Sequence, residues 1–109
     1  MKDFFGIVIY SIEDDGCLNG LWTTIANNGE ISNEIAKKKN GENTCLTGDY
    51  IVTFIEHDNP LLISQGSLLI KSGRNKLYEL EWTIDNKTNK FFGKGFIIGK
   101  QLIVSYVER

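Results

Sequence analysis

One histidine, one proline and two cysteines in 109 residues remove several kinds of chemistry at the outset. The histidine, His57, stands in the polar run Glu56-His57-Asp58-Asn59-Pro60. No Gly-x-Ser-x-Gly nucleophile motif accompanies it, so it reads as a loop residue rather than a catalytic base. Cys17 and Cys45 have no CxxC spacing and no neighbouring histidine, which gives no metal site. They are expected to be free and reduced. Glu13-Asp14-Asp15-Gly16 lacks the alternating ligands and distal glutamate of a calcium loop and reads as a turn. Net charge is −2, and the lone basic run, Lys37-Lys38-Lys39, is flanked by acids, so no nucleic-acid surface is expected. No stretch approaches the roughly 20 apolar residues of a membrane helix. The apolar run Phe4–Tyr10 follows a single lysine and precedes no small-residue cleavage site, so it reads as a strand and not a signal peptide. A cytoplasmic, non-enzymatic protein without cofactor, metal or membrane partner is expected. On that reading the sequon Asn86-Lys87-Thr88 carries no sugar.

What the chain has in abundance is two-residue alternation, with almost no helical period. It predicts eight strands: Phe5–Ile12, Cys17–Ile25, Glu30–Lys37, Asp49–Ile55, Gly66–Lys71, Lys76–Ile84, Lys90–Ile98 and Gln101–Val107. Turn chemistry separates them at Asp14-Asp15-Gly16, Asn27-Asn28-Gly29, Ser72-Gly73-Arg74-Asn75 and Ile98-Gly99-Lys100. A helical turn in NEIAKKKN (33–40) is the one local alternative. Pro60 falls in a loop, as suits a residue without a backbone donor. Short connections make sequential strands antiparallel neighbours. A meander of eight must close or leave edges exposed, so residues 1–109 are expected to form a single up-and-down β-barrel domain.

Alternation also sorts the faces. Tyr78, Leu80, Trp82 and Ile84 point to the core, with Glu79 and Glu81 outside, where they are wall residues rather than a paired-carboxylate site. Tyr50, Val52 and Phe54 point inward, yet Ile51 and Ile55 make the outside of that strand apolar too, which predicts cover by another subunit. The candidate ligand-binding residues are the aromatics of the lumen: Trp22, Tyr50, Tyr78, Trp82, Phe91 and Tyr106. They either line a pocket for a small apolar or planar ligand or simply fill the barrel. The first makes the protein a small-molecule binding module. The second makes it a regulatory partner of another protein, with a solid, ligand-free barrel. Gly93-Lys94-Gly95 lacks the helix and Lys-Ser/Thr ending of a phosphate loop. These glycines are expected to leave room for Trp82.

Several short motifs resemble the avidin and streptavidin barrels. CLNGLWTT (17–24) is similar to their opening Leu-x-Gly-x-Trp-Thr strand, and LTGDYIV (46–52) to the next glycine–tyrosine strand. YELEWTIDNKTNKFFGKGF (78–96) resembles their Trp strand, its loop and the aromatic-x-Gly strand that follows. LIVSY (102–106) takes the place of a Leu-x-x-x-Trp strand. The likeness covers about two thirds of the chain and extends to lipocalin-like and small bacterial meander barrels. It implies an eight-stranded barrel with a permuted strand order, since no strand follows Tyr106 and an extra one, Phe5–Ile12, comes first. It would place the ligand-lining aromatics at Tyr50, Trp82, Phe91 and Tyr106. The polar half of a biotin site does not carry over: Thr23-Thr24 follows Trp22, and the 85–89 loop is charged.

Overall fold

Strands form where apolar residues alternate, because each strand buries one face and successive side chains point to opposite sides. In the computed structural model, which describes residues 5–24, 31–39, 45–55, 63–85 and 90–108, eight strands follow this rule. They are β1 (Phe5–Ile12), β2 (Leu18–Thr24), β3 (Ser32–Lys38), β4 (Gly48–Ile55), β5 (Ile63–Ser72), β6 (Tyr78–Ile84), β7 (Lys90–Ile98) and β8 (Gln101–Glu108). Each pairs antiparallel with the next, and β1 pairs with β8, closing the barrel. β1 therefore lies inside the sheet, held from Gly6↔Thr24 to Ile12↔Leu18 on one side and from Phe5↔Val107 to Ser11↔Gln101 on the other.

The predicted strand boundaries hold at β1 and β7 and shift elsewhere. β6 starts at Tyr78 rather than Lys76, because Asn75 and Lys76 take φ of 55° and 66° and extend the turn. β5 is longer than read, running from Ile63 to Ser72. The helical alternative at 33–40 is overturned: 33–38 is strand, laddered to β2 and β4. Glycine at positive φ closes two of the turns, Gly16 at 86° and Gly99 at 60°. The Asn27-Asn28-Gly29 turn, Pro60, His57 and the sequon lie outside the described residues.

The core is the lumen. Val8, Tyr10, Leu18, Ala36, Tyr50, Val52, Leu68, Ile70, Leu80, Trp82, Leu102, Val104 and Tyr106 are all buried there. Large rings fit because their neighbours across the wall are glycines. A methyl group on Gly20 would stand 2.9 Å from ring carbons of Tyr10, and one on Gly93 would stand 3.0 Å from Cη2 of Trp82. The two-glycine strand β7 is thus the wall against which Trp82 packs. The lower end of the barrel is the one that carries the turns 13–17, 73–77 and 99–100. The upper end is the one at which β1 and β7 begin and β8 ends.

Candidate functional site

All six aromatics singled out in the sequence point into the barrel, but they divide between its ends. Tyr50 and Tyr78 are in the lower half. Tyr50 is buried, donates its hydroxyl to the Leu46 carbonyl at 2.6 Å, and is pushed up to about 12 by burial. The Lys38 ammonium lies 5.6 Å from its ring centre. Tyr78 is half-buried at the lower rim, opposite Gly95. Trp22, Trp82, Phe91 and Tyr106 gather in the upper half. Trp82 and Tyr106 have ring centres 5.7 Å apart and tilted, and Phe91 meets Tyr106 edge-on at 6.1 Å. Trp22 is half-buried and donates its indole N–H to the Asn33 carbonyl at 3.3 Å.

The upper group surrounds two residues that the sequence reading did not select, Tyr10 and Glu34. Tyr10 of β1, Gly20 of β2 and Glu34 of β3 lie in one cross-strand row. With no side chain at Gly20, the Tyr10 ring crosses β2 and its hydroxyl donates to Glu34 Oε2. Trp82, reaching over from β6, donates its indole N–H to the Tyr10 oxygen at 3.0 Å and to Glu34 Oε2 at 3.2 Å. Two strand pairs that are not neighbours are thereby tied through one oxygen atom.

This carboxyl is only 3% exposed. Burial, the largest effect, raises it to about 7, although the bonds from Tyr10 and Trp82 favour the ionised form. Tyr10 is held well above its ordinary value by burial first and by the Glu34 charge second. Tyr106 is raised for the same two reasons and donates its hydroxyl to the Thr23 carbonyl at 3.2 Å. Near neutrality, then, Glu34 changes charge while both phenols stay protonated.

Ser32 and Thr24 are buried at the upper rim, and Phe54, the cross-strand partner of Glu34, is half-buried beside it. Cys17 and Cys45 are free. Among the described residues no cluster of three His, Cys, Asp or Glu side chains is placed to hold a metal. No helix among them is long and apolar enough to cross a membrane.

The outer wall is uneven. Leu21 of β2, Phe5, Ile7 and Ile9 of β1, Val107 of β8 and Phe96 of β7 are each 37–53% exposed on one side of the barrel. The register sets Leu21, Ile9, Ile103 and Phe96 side by side. A groove of about 920 Å³ on this side is lined by Phe5, Ile7, Phe92 and Val107 among others. On the far side Lys71, Glu79 and Glu81 face outward, and Glu81 pairs with Lys90 at 3.1 Å. The apolar wall is therefore centred on β1 and β8. On β4, the strand expected to be covered by another subunit, Ile51 is 49% exposed.

Comparison of the chain with known families, with characterised proteins and with solved structures yields no match. The shared ground with the avidin and lipocalin-like barrels is architectural, a small closed antiparallel barrel of eight strands.

Proposed function

We propose that the protein is a non-enzymatic binding module that takes a small planar or apolar ligand into the upper half of its barrel. The observation that supports this most is the Tyr10–Glu34–Trp82 cluster, a buried carboxyl ringed by aromatic surface. Replacing buried hydrogen-bonded partners with apolar groups of the same shape can be nearly neutral or stabilising, so the fold alone gives little reason for the cluster. Binding sites commonly combine an apolar aromatic lining with a few convergent polar groups. Trp22, Phe54 and Phe91, each only half-buried, form the edge that a ligand would meet first. The free cysteines fit a reducing setting such as the cytoplasm.

A thermal-shift and tryptophan-fluorescence screen of small planar compounds tests the reading. A saturable rise in Tm with quenching, lost in Trp82→Phe, is expected. No stabilisation by any compound would overturn it.

The outer wall supports a second reading, a protein–protein interaction module whose occupant is a second copy of the chain. The six exposed residues leave on the order of 500 Å² of apolar surface in solvent, near the top of what monomers usually carry (about 300–600 Å²). With the polar side chains between them the face approaches the roughly 800 Å² per partner of a stable dimer. A closed barrel offers no edge to extend, so pairing is face to face, and two identically twisted walls satisfy it. A dimer in sedimentation, dissociated by Ile9→Lys, is the expected result. A monomer at high concentration would exclude it.

A further inference from the structure

Among the described residues Glu34 has no cation beside it inside the barrel. On its own face of β3 the nearest cationic side chain is Lys38, two inward positions further down, and its ammonium bonds the Cys45 carbonyl instead. The titratable groups facing Glu34 from the other strands are the phenols Tyr10 of β1 and Tyr106 of β8. Tyr50 of β4 and Tyr78 of β6 belong to the lower half, and Glu108 stands at the upper rim opposite Phe91. None of these is a cation. Both protein donors, moreover, converge on one carboxylate oxygen, Oε2.

A buried carboxylate ordinarily has a partner of opposite charge. Here the inward faces of the strands supply aromatic rings instead. Aromatic faces attract cations, most strongly where water is excluded. We propose that the lumen binds a small planar organic cation, of the amidinium type, whose N–H groups donate to the Glu34 carboxylate and whose body lies against Trp82, Tyr106 and Phe91. The proposal rests on the lumen being the binding site. The ligand supplies a counter-charge that no described residue provides, and Tyr10 and Trp82 hold the carboxylate in place through Oε2.

Only the ionised carboxylate takes a cation, and in the free protein Glu34 titrates at about 7. Affinity for the cation should therefore rise roughly thirtyfold between pH 5.5 and pH 8.5, and level off above.

The test is calorimetric titration of the whole chain with benzamidinium and with benzamide, a neutral ring of similar shape. Both are run at pH 5.5 and 8.5, on the native protein and on Glu34→Gln. The expected result is saturable benzamidinium binding that tightens with pH and weakens at least tenfold in Glu34→Gln, with benzamide weaker and insensitive to pH. Equal binding of the two probes, or unchanged benzamidinium affinity in Glu34→Gln, would overturn the cation while leaving the lumen as the site. Failure of benzamidinium to bind at either pH would overturn the proposal too. If the planar-compound screen is also blank, the lumen reading falls with it. The pH dependence of the native protein decides the matter even if the variant folds poorly.

Discussion

In the lower half of the barrel Leu18, Ile70 and Leu102 are at most 1% exposed, and the core there is almost wholly aliphatic around Tyr50. In the upper half the same closed wall surrounds Glu34, Tyr10, Trp82, Ser32 and Thr24, and its rim rings stay half-buried. One fold thus carries two kinds of interior. The lower half shows that these strands close and pack without a buried carboxyl. A carboxyl in the upper half is consequently a choice the architecture does not require, and its position among aromatic rings points to recognition.

The contrast can be broken from either side. Trp82→Ala and Leu102→Ala should both be costly, by about 3–5 and 2–5 kcal/mol in urea denaturation, since each empties a buried site. Only the first should also alter how stability depends on pH, because only Trp82 touches the carboxyl.

The next effect is the pH dependence itself. The folded value of Glu34, about 7, lies above its ordinary 4.5, so the folded state holds the proton more tightly. Its contribution to stability is fully present below pH 4.5, is lost as pH rises to about 7, and is flat above. The loss amounts to about 3 kcal/mol. Glu34→Gln should remove that slope. It should make the protein more stable than the native chain at pH 8 and close to it at pH 4.

Gly20→Ala sharpens the comparison, since the new methyl would stand 2.9 Å from the Tyr10 ring. A cost of about 1–3 kcal/mol is expected from overpacking. Ultraviolet titration should also show one tyrosine moving down toward its ordinary range as Tyr10 is pushed off Glu34.

Smallest of all should be Ile7→Lys on the outer wall, within about 0.5 kcal/mol of the native protein in stability, as for most surface changes. Its effect belongs to association, read by sedimentation.

The lower half was legible in the sequence, and the upper half only in part. Strong alternation in β6 placed Leu80 and Trp82 inward, and the glycines of β7 announced room for the indole. β3 resisted the same reading because its pattern is inverted. Ile35 faces outward and is half-buried, while Ser32, Glu34 and Ala36 face the core. Hydrophobicity alone would put Ile35 inside. Register settles the matter: Glu34 stands opposite Gly20 and Phe54, both inward positions. β1 was ambiguous in another way. Phe5, Ile7 and Ile9 are as apolar as Val8 and Tyr10, so nothing in their composition told wall from core. Closure onto β8 turned them outward together. The signal that could have found the site was Gly20, a strand glycine whose space is taken by the Tyr10 ring of β1.

The carboxyl carbon of Glu34, followed by NMR through a pH titration of the ligand-free protein, tests the central claim most directly. A midpoint near 7, moving together with the indole N–H resonance of Trp82, is predicted. A midpoint near the ordinary 4.5, with the Trp82 resonance unmoved, would mean that the carboxyl sits in water and that the upper half of the barrel is no site at all.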